Sequence, residues 1–191
     1  MKIFLKILIL SLFLITSSKA DNISDFQIEG ISIGDSALKF FSEYEIKKNR
    51  RDPGYKKGIN AEFTHVENEK KSFFKTYDYV DFNFKTGDKK YIIHSIKGGI
   101  DYSEKPISDC KKKIKEIFNE LSLMFTNMQV VKIRATKSKS TPDRVNTWGS
   151  FFSKDGQITV GCHEFTKGSR PNYLAVSIRT REFNEFLATA Y

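Results

Sequence analysis

The sequence predicts an α+β domain, an antiparallel sheet with helices packed on one of its faces. Three observations carry the prediction. Strand-like segments flank the tight-turn dipeptides Gly87-Asp88 and Asp155-Gly156, which join neighbouring antiparallel strands. Residues 107–126 repeat apolar side chains at spacings of three and four, the period of a helix with one buried stripe. The order along the chain is helix, strands, helix, strands, which builds a layered α+β domain. Two helix-plus-strands units in tandem would give the same order. Composition agrees: 191 residues is the length of about one domain. An aromatic content of 14% supplies the apolar surface that a disordered chain lacks. Beyond residue 20 no stretch of ~20 apolar residues occurs, which excludes a polytopic membrane protein. Two cysteines are too few for a disulfide-dense scaffold.

Residues 1–20 have the form of an export signal. Met1, Lys2 and Lys6 make a positive start, Ile7 to Ile15 is an apolar run broken only by Ser11, and Ser18 and Ala20 flank a cleavage position. Cleavage after Ala20 would release residues 21–191 as a single domain, periplasmic or secreted. It would remove three lysines and no acid, taking the net charge from +9 to +6. No cysteine stands near the cut, so a bacterial lipid anchor is not expected. In an oxidising compartment Cys110 and Cys162 read as one disulfide, the alternative being two buried thiols.

Next come an extended segment (Phe26, Ile28, Ile31, Ile33) ended by Gly34, and a helical turn through Ala37, Leu38, Phe40 and Phe41 that Asp35 or Ser36 can cap. A second short turn runs from Ser42 to Asn49, before the breaker Arg51-Asp52-Pro53-Gly54. Residues 59–66 form a short strand. Residues 76–85 and 89–101 form a hairpin on Gly87-Asp88, with Phe84 opposite Tyr91, Phe82 opposite Ile93 and Asp81 opposite His94. The long helix opens near Pro106, where a missing N–H costs little. Residues 136–144 read as a loop, followed by strands at 145–153, 157–165 and 172–181.

Alternation assigns the faces of these strands. With Asp155-Gly156 as the turn, Phe151 faces Val160 and Gly149 faces Cys162, on the side of the helix that carries Cys110. The opposite face then carries Trp148, Phe152, Thr159, His163 and Phe165, joined by Tyr173, Ser177 and Arg179 of the last strand. The first hairpin adds Tyr77, Tyr79, Asp81, Ile92, His94 and Ile96. Eight residues make the candidate binding surface: Tyr77, Tyr79, His94, Trp148, Phe152, His163, Tyr173 and Arg179. Tyr, Trp and Arg are the residue types enriched at interface hot spots. Cover from within the chain, a protein partner and a small ligand all fit such a face.

Catalytic signals are weak. No histidine stands at metal-ligand spacing, and no cofactor is expected. Asp81 opposite His94 would be a carboxylate–imidazole pair of the kind that orients a base. Basic clusters at 47–51, 56–57, 111–113 and 132–139 suit an anionic lipid surface, nucleic acid being no expected partner of an exported protein.

The stretch Phe26 to Ser42 contains Gly30-Ile31-Ser32-Ile33-Gly34-Asp35-Ser36-Ala37-Leu38. It resembles the G-[IM]-S-[IL]-G-D-S-x-L start of small exported proteins of unknown function from AT-rich bacteria. The resemblance implies no activity. At the level of fold, the sequence is similar to β-lactamase inhibitor protein-like domains and to the small lipoprotein of the outer-membrane assembly machinery. Both similarities imply protein binding rather than catalysis. The expected function is therefore an exported binding or adaptor module that contacts another envelope protein through the aromatic face of its sheet. Association with anionic lipid, or an enzyme built on Asp81 and His94, are the alternatives.

Overall fold

The structure, a computed structural model, describes residues 22–58, 61–69, 73–138, 141–168 and 170–190. The export signal lies outside the described residues. One eight-stranded antiparallel sheet dominates. Its strands are β1 (Arg50–Arg51), β2 (Phe63–Glu69), β3 (Tyr79–Lys85), β4 (Ile93–Asp101), β5 (Gln129–Lys137), β6 (Arg144–Phe152), β7 (Gly156–Phe165) and β8 (Tyr173–Thr180). Among the described residues three α-helices accompany them: α1 (Glu43–Lys48) before β1, α2 (Ile107–Met124) between β4 and β5, and α3 (Arg181–Ala190) after β8. The strand order is β1-β2-β3-β4-β8-β7-β6-β5. Two four-stranded meanders, each preceded by a helix in sequence, thus meet along β4 and β8.

One face of the sheet carries the core: Val80, Phe82, Phe84, Ile96, Val176, Ile178, Ile158, Val160 and Phe151 are all buried. Over β6 to β8 this face is covered by α2, which buries Cys110, Ile114, Phe118 and Leu121. The Phe118 ring centroid lies 4.8 Å from that of Phe151. A disulfide ties Cys110 of α2 to Cys162 of β7. Over the other meander, the same face is covered by the segment before β1. Phe41 stacks on Phe82 at 5.4 Å, and Ile28, Ile31 and Ile46 are buried. Ser36 caps a 3₁₀ turn at Ala37–Lys39, accepting the Leu38 N–H. Ser42 and Glu45 form a reciprocal capping box that starts α1.

Helices do not all share one face. Phe183 and Leu187 of α3 line a cavity together with His65, Asp81, Ser177 and Arg179, on the side away from α2. The periodicity of Phe183, Phe186, Leu187 and Ala190 suits a helix, and Thr180 Oγ1 accepts the Phe183 N–H at its start. The two-residue strand β1 was not expected from the sequence either, nor was strand β5. Its side chains are mostly exposed and include Lys132, Arg134 and Lys137, the charged composition of a sheet edge.

Both hairpins pair differently from the expected register. Phe151 faces Ile158, and Gly149 faces Val160. That is a slip of two residues, which leaves every side chain on its expected face. In the first hairpin, Phe82 pairs with Ile96 and Asp81 with Lys97, so Asp81 and His94 are not cross-strand partners. The connection is longer than two residues. Asp88 accepts the N–H groups of Lys90 and Ile92, and Tyr91 takes a positive φ of 51°. A register irregularity at Asn83/Phe84 then leaves His94 unpaired in the ladder. Ile96 belongs to the core, not to the opposite face.

Candidate functional site

The face away from α2 is organised as rows that run across the strands, because directly opposed residues of an antiparallel sheet point the same way. One row reads Glu67, Asp81, Lys97, Ser177, Thr159 and Ser150. A second reads His65, Asn83, Ser95, Arg179, Gln157 and Phe152. The third is Tyr79, Gly99, Ala175, Gly161 and Trp148, ending at Arg134. Two rows are polar, and the third sets aromatic rings around residues with little or no side chain.

Over the first two rows α3 makes a cleft of about 570 Å³. The helix is held on its outer side by Tyr55, whose ring meets Phe186 at 4.9 Å, and by the Lys56 N–H, which donates to the Ala190 carbonyl at 2.8 Å. On the sheet side, Phe183 meets Phe63 at 5.0 Å. Asp81, buried on the cleft floor, is ion-paired with Lys97. Burial raises the Asp81 carboxyl above its usual range, and the Lys97 ammonium offsets part of that. Asn83 Oδ1 accepts from the Tyr55 hydroxyl at 3.3 Å and from His65 Nδ1 at 3.2 Å. The other His65 nitrogen lies 3.2 Å from Glu67. The cleft floor thus holds a hydrogen-bonded chain from Tyr55 through Asn83 and His65 to Glu67, beside the Asp81–Lys97 ion pair.

Farther along the strands from the rows that α3 covers, the third row and its neighbours form an aromatic platform. The Arg134 guanidinium lies 4.7 Å from the Trp148 ring, and Trp148 Nε1 donates to Thr136 at 3.1 Å. His163 stacks on Tyr173 at 4.4 Å and donates from Nδ1 to Asn146 at 2.7 Å. Burial, with help from the nearby cations, lowers the His163 pKa to about 3, so the ring is neutral at pH 7.

The eight candidate residues part company here. Tyr79, Trp148, His163 and Tyr173 lie on the face away from α2, on or beside the platform; Phe152 lies on the same face at the end of the second row, and Arg179 lies in the cleft. Tyr77 lies on the opposite, α2 side, packed over Gly98. It precedes β3, so strand alternation does not govern it. His94 sits beside Phe63 with Nδ1 3.3 Å from Glu182 of α3, within ion-pair distance but without hydrogen-bond geometry. Burial lowers its pKa. The expected Asp81–His94 pair is therefore not formed. His65, Asn83, Ser95 and Lys97 were missed. Polar residues at alternate positions of otherwise apolar strands were their signal.

Among the described residues, no group of His, Cys, Asp and Glu side chains could hold a metal ion, and no helix is long and apolar enough to cross a membrane. No family model matches the chain, and neither a curated protein nor a solved structure is significantly similar to it.

Proposed function

We propose that the protein is an exported binding module that contacts another envelope protein through the platform around Trp148. The observation that carries this reading is the fixed setting of that indole. Its ring is covered on one side by Arg134 and its N–H is tied to Thr136, yet it remains half-buried on a part of the sheet that α3 does not overlie. An aromatic side chain already held in place loses little freedom on binding, which is what makes Trp and Tyr effective anchors. The stacked His163–Tyr173 pair beside it is equally fixed. The Cys110–Cys162 disulfide supports an oxidising compartment.

The test is cross-linking of tagged residues 21–191 in an envelope extract, in three variants. Trp148→Ala and Tyr173→Ala alter the platform. Leu123→Ala removes an exposed side chain of α2, the helix on the other face. One protein lost from both platform variants and retained by Leu123→Ala, with all three melting alike, is the expected result. Retention of that protein by Trp148→Ala overturns the reading. So does capture of anionic vesicles with no protein.

A further inference from the structure

The cleft beneath α3 is a second site, which meets the Trp148 platform only at Tyr79 and Tyr173, and the geometry points to a neutral oligosaccharide as its ligand. Its size suits a ligand much larger than an ion. The cleft measures about 570 Å³, and a recess of about 350 Å³ adjoins it through Glu67, Asp81 and Lys97. Small-molecule sites occupy this range of volumes.

Charge decides against an ionic ligand. The lining holds three carboxylates (Asp52, Glu67 and Asp81) and three cations (Lys97, Arg170 and Arg179), and Asp81 is ion-paired with Lys97. A phosphate or carboxylate, which only accepts, would face Asp81 and Glu67. An ammonium, which only donates, would face Lys97 and Arg179. A hydroxyl does both, so a polyol is the chemistry that can pair with donors and acceptors set side by side.

The remaining lining fits the same ligand. Ser95 and Ser177 present hydroxyls, and Asn83 is oriented by Tyr55 and His65 before any ligand arrives. The recess is lined by the aromatic side chains of Tyr79 and Tyr173, the type of surface on which the C–H face of a pyranose packs. Tyr79 is held in place by its position over Gly99.

Amide chemical shifts of labelled residues 21–191 provide the test. The probes are triacetylchitotriose, maltohexaose and cellohexaose on one side, and glutamate and lysine on the other. Saturable shifts with at least one saccharide, confined to residues 79–83, 95–97 and 173–179, are expected. Asn83→Ala should weaken that binding by about tenfold, and Trp148→Ala should leave it unchanged. Should Asn83→Ala fail to fold, the wild-type shift map alone decides. Shifts with the amino acids but no saccharide overturn the proposal, as do saccharide shifts centred on Trp148 or no shifts at all.

Discussion

The Tyr79 ring covers Gly99 across the β3–β4 pair so closely that any side chain at position 99 would collide with it. On the other face, Tyr77 covers Gly98 in the same way, its ring 2.6 Å from where a Cβ would stand. Adjacent glycines thus receive one tyrosine from each side. Gly98→Ala and Gly99→Ala should each destabilise by about 1–3 kcal/mol, the usual cost of overpacking. Urea midpoints would show it. Gly99→Ala alone should also displace Tyr79 from the recess and weaken any ligand held there.

The disulfide closes a loop of 52 residues between α2 and β7. Chain entropy assigns such a closure about 4 kcal/mol. The double variant Cys110→Ala/Cys162→Ala should lose about that much in denaturant unfolding, and reductant should lower the wild type toward it without affecting the variant.

His163 makes stability depend on pH. Its pKa is about 3 when folded against 6.5 ordinarily, so between those values the unfolded chain binds a proton that the folded chain refuses. The contribution is fully present above pH 6.5 and is lost as the pH falls toward 3, by up to about 1.4 kcal/mol per pH unit. Asp81 acts with the opposite sign at the acid end, since burial raises its pKa above 3.8. Urea unfolding from neutral to about pH 4 should show a shallower decline for His163→Gln than for the wild type.

Phe183 anchors α3 to the sheet: it is 2% exposed and packs on Phe63. Phe183→Ala should cost about 3–5 kcal/mol of α3 docking. Because α3 rests on few buried side chains, the loss should be local. Hydrogen exchange should show α3 amides unprotected while those of β7 and β8 keep their protection.

How far the sequence could be read depended on how local each signal was. Helix α2, the Cys110–Cys162 pair and the faces of β6, β7 and β8 were legible. Asp155-Gly156 marks a turn, and a two-residue slip does not change which way Trp148 points. The first hairpin was not legible, because Tyr91's positive φ and the irregularity at Asn83/Phe84 leave no mark in apolar alternation. Strand β5 was not assigned because its basic residues mask its alternation and its last two residues fall in the polar stretch 136–144, and α3 follows β8 with no intervening breaker. The cleft was hidden for a further reason. His65, Asp81, Lys97 and Arg179 come from four strands and become neighbours only once the pairings are known.

The seam between β4 and β8 has a kinetic consequence. It joins residues about eighty positions apart, whereas every other strand pair links neighbours in the chain. Each meander can form from nearby contacts, but the seam must wait for the largest loop closure in the sheet. Until it zips, β4 and β8 are open edges bearing Ile96, Val176 and Ile178. An edge of that kind pairs as readily with a second molecule as with its own chain. Concentrated refolding should therefore yield intertwined dimers that exchange whole meanders, and dilute refolding should yield monomers.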